Sequence, residues 1–263
     1  MTALLSKKIM QMTKAHYKLQ VGSYLNDIFD IGGATYSLGK YITDCYWNYA
    51  SLVRTQSSKT DELIRKVESF SSKNGRKPAF YLDPSTQPVN FFEILQNAGY
   101  TEEDHETWMA HNVIEDLEKI DDNPTIQLEL VKTEEQMTVF TELFNTGFGM
   151  TTNTYGDSLI SAFKNPSAEV EVLHYIAKLN GKECGIASLY SSGKIGGIYN
   201  VATVPEFRRK GVGTALNKKV VSESLARNHE LLILQTEANG DAYRIYERMG
   251  FRPEFLASIF LKD

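Results

Sequence analysis

The run Arg208-Arg209-Lys210-Gly211-Val212-Gly213 has the chemistry of an anion grip. It follows the apolar stretch 197–204, Gly-Ile-Tyr-Asn-Val-Ala-Thr-Val, which reads as a strand, and leads through Thr214-Ala215-Leu216 into a helix-patterned segment. Gly211 and Gly213 let the backbone come close to a ligand, and the first N–H groups of a helix have no partner inside it. From Glu206 to Lys219 there are five basic residues and one acidic, in a chain whose formal net charge is -5. The charge thus reverses sign where an anion would sit. The spacing excludes the two common nucleotide fingerprints. A P-loop has four residues between its glycines and Lys-Ser/Thr after the second, and the dinucleotide fingerprint needs a third glycine where Leu216 stands.

A second constellation lies downstream. Leu231-Leu232-Ile233-Leu234 reads as a buried strand, followed by a loop through Glu237 and Asn239, then by 241–251, Asp-Ala-Tyr-Arg-Ile-Tyr-Glu-Arg-Met-Gly-Phe. Asp241 is placed to cap a short helix, and Gly250 to close it in the left-handed conformation. Arg-x-x-Gly-x-Gly between strand and helix, then Ala242-x-x-x-Tyr246-x-x-x-Gly250-Phe251 after an aliphatic strand, resembles the GNAT (GCN5-related) N-acetyltransferase family. The two motifs stand in the family's order, one helix and one strand apart.

The resemblance implies a mixed α/β sheet of the acyl-CoA N-acyltransferase type, with acetyl-CoA as cosubstrate and no metal. Arg208, Arg209, Lys210, Gly211, Val212, Gly213 and Thr214 would hold the diphosphate, chiefly through backbone N–H groups. Pantetheine would lie along the strand at Val201, Ala202 and Thr203, with a backbone N–H near Val201 facing the thioester carbonyl, and Asn239 would reach the coenzyme. Tyr246 would protonate the leaving thiolate; the plain alternative is that it is a core tyrosine, and Tyr243 is expected to be the packing residue. Glu237 is the first choice for general base, with a solvated loop carboxylate as its plain reading. His174 and Glu171 lie on a strand of undetermined facing, and Tyr199 with Asn200 could hold a water. The segment 144–155, with Phe148 and Met150, would form the acceptor side.

At 263 residues and 42% hydrophobic content, the chain can bury one large core or two modest ones. Two cysteines, Cys45 and Cys184, are too few for a disulfide framework and suit a reducing compartment. No apolar run reaches the length of a membrane span, and Ala3-Leu4-Leu5 before Lys7-Lys8 is too short for a signal core, so a cytoplasmic protein is expected. His105 and His111 lack metal spacing. The acidic balance gives no support for nucleic acid as a partner. The expected partners are acetyl-CoA and an amine of a small molecule or protein, with a homodimer open. The competing reading is a non-catalytic acyl-CoA-binding regulatory module.

Residues 115–124, polar, acidic and closed by Pro124, suit a linker between an N-terminal domain, 1–120, and an acetyltransferase domain, 125–263. In the latter, 126–131 alternates as a strand and Thr133 caps a helix over 134–144, with Glu135 and Gln136 near the reciprocal position. A second helix is expected at 158–163. Asn180-Gly181 is a hairpin turn between strands 171–179 and 183–191, and a strand over 255–261 ends the chain. The N-terminal half carries an echo. Strand 77–83, helix 89–97 and Gly99-Tyr100 fall in register with the segment ending in Gly250-Phe251, helix 61–70 takes the place of 211–227, and 41–53 supplies a preceding strand. No glycine stands between Ser51 and Asn74, and Leu95 occupies the place of Tyr246. This half reads as a degenerate second copy in a tandem arrangement; the plain alternative is an unrelated α+β domain.

Overall fold

A computed structural model describes residues 2–39, 41–111, 117, 120, 123–238 and 240–263. The first half runs α1 (Ala3–Gln20), β1 (Leu25–Asp30), β2 (Thr35–Gly39), β3 (Tyr49–Ser51), α2 (Thr60–Lys73), β4 (Ala79–Leu82), α3 (Phe91–Asn97) and β5 (Thr101–His111). The second runs β6 (Ile126–Leu130), α4 (Glu134–Phe148), α5 (Thr154–Lys164), β7 (Glu171–Leu179), β8 (Lys182–Ser192), β9 (Ile195–Thr203), α6 (Val212–Ala226), β10 (Leu231–Thr236), α7 (Asp241–Arg248) and β11 (Phe251–Leu261). The chain divides into two compact units, Met1–Trp108 with Glu254–Asp263, and Met109–Pro253.

In the first unit the sheet order is β1-β2-β3-β4-β11-β5. The chain's last strand therefore completes the sheet of the N-terminal unit: Ser258, Ile259, Phe260 and Leu261 pair antiparallel with Leu82, Tyr81, Phe80 and Ala79. Sequence order alone had set this strand with the C-terminal half. Leu63, Ile64 and Val67 of α2 and Phe91 and Leu95 of α3 pack on one face with Phe80, Leu82 and Phe260. Helix α1 begins at Thr2, whose hydroxyl accepts from Leu5 N–H at 3.3 Å, and its His16 lies edge-on to Trp108. The strand expected over 41–53 is confined to Tyr49–Ser51. Asn48 is the reason: its amide donates to the Ile42 and Asp44 carbonyls and accepts from Gly39 N–H, which builds a turn before the strand.

In the second unit the order is β10-β9-β8-β7-β6, with β10 parallel to β9 and the remaining neighbours antiparallel. Thr133 and Gln136 form a reciprocal cap on α4, which runs one turn beyond the expected end and closes on Gly149 at φ 69°. Asn180 and Gly181 are both left-handed, at φ 52° and 76°, as the tight turn between β7 and β8 requires. Val212, Leu216, Val220 and Val221 of α6 are buried against Leu189, Ile198, Leu232 and Leu234 of the sheet. Of the segment read as a linker, Leu117, Ile120, Asn123 and Pro124 are described. Leu117 is buried in this core, and the Ile120 carbonyl accepts from Lys218 Nζ at 2.9 Å.

Candidate functional site

Strands β9 and β10 are paired only where Ile195, Gly196 and Gly197 meet Leu231, Leu232 and Ile233. Both continue, to Thr203 and Thr236, without pairing with each other. A bulge in β9 accompanies this divergence. Against β8, Ser188 opposes Tyr199 and Ile186 opposes Ala202, so β9 holds one residue more than its partner over this step. Asn200 sits in the bulge at φ 58°, a left-handed conformation that asparagine tolerates better than most side chains. The backbone edge at Val201–Thr203 is thereby left unpaired with β10 and, apart from the Thr203 carbonyl that Arg208 holds, open to something laid alongside it.

That edge is joined to the anion turn by Val204 and a single 3-10 turn, Pro205–Phe207. Arg209 and Gly211 both have positive φ, 63° and 87°, and Gly211 is the N-cap of α6 without a side-chain capping bond. The first intrahelical bond runs from Ala215 N–H to the Gly211 carbonyl at 3.0 Å, so the N–H groups of Val212, Gly213 and Thr214 are not used by the helix. A Cβ at Gly213 would lie 3.6 Å from Ile245 Cδ1 and 3.9 Å from Thr203 Oγ1, which brings the turn, the end of β9 and α7 to one place. The three cations differ. Arg208 commits its guanidinium to protein carbonyls, those of Thr203 at 3.2 Å and Gly147 at 3.0 Å. Arg209 is exposed and paired with exposed Asp241 at 3.2 Å, and Lys210 Nζ stands 5.1 Å over the Phe207 ring. An exposed ion pair of this kind contributes about 0–1 kcal/mol and yields readily to a better anion. The charge on offer to a ligand is thus chiefly that of Arg209 and Lys210.

Asp241 is the first helical residue of α7 rather than its cap; Gly240 holds the cap position. Gly250, at φ 88°, closes the helix in the left-handed conformation. Tyr246 is buried, its ring 5.8 Å from Phe251, while Tyr243 is half-buried at the margin of the same core. This reverses the expected roles in packing: Tyr246 is the more deeply packed of the two, because its stripe of α7 faces the sheet. Burial raises the Tyr246 phenol above its ordinary 10.0, so it carries its proton at neutral pH. Glu237 is exposed at the end of β10 and folds back over its own loop, its Oε2 3.6 Å from where a Cβ on Gly240 would stand. Asn239 lies outside the described residues. Val201 and Thr203 are half-buried and Ala202 is buried.

On the opposite face of the sheet, His174 of β7, Ser188 of β8 and Asn200 of β9 form a row. His174 Nδ1 is 2.7 Å from Ser188 Oγ, and Asn200 Nδ2 donates to the same oxygen at 3.0 Å. His174 is packed edge-on to Phe140 and Tyr190, and burial pushes its pKa down from 6.5 to about 3. Glu171, by contrast, is exposed and paired with Arg227, which lowers its pKa. Sequence reasoning missed Ser188; its signal is a hydroxyl in the otherwise apolar run Ile186-Ala-Ser-Leu-Tyr190. It also missed Asn217, buried on α6, whose Nδ2 donates to the Gly213 carbonyl at 2.8 Å and braces the turn. On the acceptor side, Phe144 packs with Phe148 and Tyr155, and Phe148 and Met150 are exposed. Gly147 lets α4 approach β9, since a Cβ there would stand 2.7 Å from that of Ala202.

Residues 171–253 match the family model described as an acetyltransferase (GNAT) domain. The GNAT domain so matched lies within the second unit. A GCN5-related N-acetyltransferase from Kribbella flavida superposes with a TM-score of 0.72 at 13% identity, over 96% of this chain and 94% of that one. Another, from Sphaerobacter thermophilus, gives 0.67 at 14% identity, over 89% and 82%. A tandem GNAT protein from the clavulanic acid biosynthesis pathway gives 0.60 at 14% identity, over 87% and 77%. No curated protein matches the sequence at a comparable level. These likenesses establish the fold, a tandem arrangement of GNAT-type units.

In the first unit the space between β3 and β4, beyond their pairing at Ala50 and Phe80, is taken by the chain itself. Gln87 N–H donates to the Val53 carbonyl at 3.0 Å and Thr55 N–H to the Gln87 carbonyl at 3.2 Å. Arg54 fastens the segment through Ser85, which is bonded in turn to Asp83. Among the described residues no helix is long and apolar enough to cross a membrane.

Proposed function

We propose that the second unit binds acetyl-CoA and transfers its acetyl group to an amine of a small molecule or a protein. The observation that carries this reading is the β9 edge unpaired with β10, joined through one 3-10 turn at Pro205–Phe207 to the uncapped N-terminus of α6. One end of that track suits amide groups laid alongside a strand, and the other a diphosphate. Val212, Gly213 and Thr214 would offer N–H groups to the diphosphate, with Arg209 and Lys210 adding charge, while Arg208 keeps the turn fixed to α4. Val201 and Thr203 would bond the pantetheine amides, Ala202 would lie beneath the pantetheine, and the family motif implies a coenzyme contact for Asn239.

The donor supplies a thioester carbonyl. A neutral amine adds to it, the Val201 N–H steadies the oxyanion, and the carbon–sulfur bond breaks as the tetrahedral intermediate collapses. Tyr246 donates its phenolic hydrogen to the departing sulfur. Its raised pKa makes it a strong holder of that proton, so its contribution is a hydrogen bond to the developing thiolate as much as full transfer. For removal of the ammonium proton, Glu237 is the exposed carboxylate just past β10, and a water held by Tyr199 and Asn200 is the alternative. Exposed Phe148 and Met150 support an acceptor with an apolar portion.

An acceptor screen that detects the free thiol of released CoA tests the reading. Thiol release dependent on an added amine is expected. Acetyl-CoA binding by calorimetry without release across a broad amine panel would favour the non-catalytic regulatory module, and no binding at all would refute both.

A further inference from the structure

A regular ladder sends alternate side chains to opposite faces, so the residue after Tyr199 should point away from Ser188. Asn200 does not. Its left-handed backbone, inside the bulge, turns its amide back onto the face where Ser188 and His174 stand side by side in direct cross-strand register. The amide donates to Ser188 Oγ at 3.0 Å, and the same oxygen stands 2.7 Å from His174 Nδ1, which accepts from the serine hydroxyl when the ring carries its proton on Nε2. A neutral His174 is what this direction of bonding needs, and its burial among Phe140 and Tyr190 keeps it neutral. Ser188 is fully buried and His174 nearly so, which fixes both partners. The result is a tether that spans three strands.

The left-handed conformation costs a non-glycine residue free energy, so something must favour it over an extended, unbulged register. We propose that His174 and Ser188 are positioning residues which, through Asn200, hold the β9 bulge and so aim the Val201 N–H into the acyl end of the cleft. They touch neither the donor nor the acceptor. This inference rests on the proposed acetyl transfer, but the tether itself has a readout that does not.

The decisive variants are Ser188→Ala, which removes only the hydroxyl, and Asn200→Gly, which keeps the left-handed backbone accessible but removes the amide. His174→Gln retains an acceptor for the Ser188 hydroxyl and serves as the conservative rescue. In ¹H–¹⁵N spectra of the ligand-free protein, Ser188→Ala and Asn200→Gly should shift the Val201 amide resonance and speed its hydrogen exchange at least tenfold, while amides of α6 stay unchanged. On an accepted amine, kcat should fall about 10- to 100-fold in both variants with acetyl-CoA KM within about threefold, since aligned donors to an oxyanion act in the transition state. His174→Gln should recover to within about threefold of the parent. An unshifted Val201 amide in folded Ser188→Ala and Asn200→Gly overturns the tether whether or not the protein acetylates anything. Shifted amides with unchanged kcat overturn the aiming role. A parent protein that neither binds acetyl-CoA nor releases thiol refutes the proposed function instead, and leaves the amide measurement to decide the tether.

Discussion

At the scale of single residues, the site turns on one glycine and one hydroxyl. Gly211 has φ 87°, and a Cβ there would stand 3.2 Å from that of Asn123. Gly211→Glu combines this strain with a carboxylate facing the anion, so acetyl-CoA affinity should fall more than tenfold, about 1.4 kcal/mol or more, by calorimetric titration. Equal affinity in both forms would show that the turn is not the site. Tyr246→Phe keeps the ring against Phe251 and removes only the phenolic oxygen. Turnover should fall by roughly 10- to 1,000-fold, within or below the usual range for a general acid because a thiolate can leave unaided. Affinity for acetyl-CoA should change less than about threefold, and Tyr243→Phe, at the margin of the core, should be nearly silent. Full activity in Tyr246→Phe on a confirmed acceptor would make this tyrosine a packing residue alone.

At the scale of elements, the parts whose causes are local were legible. The reciprocal cap of Thr133 and Gln136, the Asn180-Gly181 turn, the apolar stripe of α6 and the left-handed Gly250 each follow from residues a few positions apart, and each stands where the spacing puts it. What depends on distant partners was not. The bulge at Asn200 needs Ser188, and the end of the β9–β10 pairing is a property of two strands separated by a helix. The place of β11 in the first unit's sheet is set by β4, far earlier in the chain. Helix α1 was missed because its apolar positions are diluted by lysines and its partners are aromatic residues distant in sequence. The filled gap between β3 and β4 belongs to this class and makes a prediction. Backbone bonds from Gln87 and Thr55 occupy the edge that a pantetheine would use, so calorimetry should return one acetyl-CoA per chain, and Gly211→Glu should leave none at comparable affinity. A second molecule bound with Gly211→Glu in place would show that the first unit is still a receptor.

At the scale of the whole molecule, each unit buries a neutral histidine, and this gives the chain a common response to acid. His16 of the first unit lies among Tyr17, Trp47 and Trp108, and His174 of the second among Phe140, Tyr190 and Ser188. Desolvation holds both near a pKa of about 3, against 6.5 for the free side chain. The unfolded chain therefore takes up a proton at each histidine below about pH 6.5 while the folded chain does not. Their contribution to stability is fully present above the unfolded value and is lost as the pH falls towards about 3, the opposite direction from a histidine held by a carboxylate. Each lost pKa unit corresponds to about 1.4 kcal/mol, so two such groups can remove several kcal/mol between pH 6 and 4, a large part of an ordinary domain's margin. Melting temperature measured across this range should drop steeply for the parent. In His16→Gln the unfolding of the first unit should lose much of its acid dependence, and in His174→Gln that of the second, each with a flatter profile below pH 7.5. Because His174→Gln keeps an acceptor for Ser188, its flattening should come without loss of the bulge. Profiles of the two variants parallel to the parent's from pH 7 to 4 would mean that both histidines take up protons in the folded state, and that carboxylates carry the acid response.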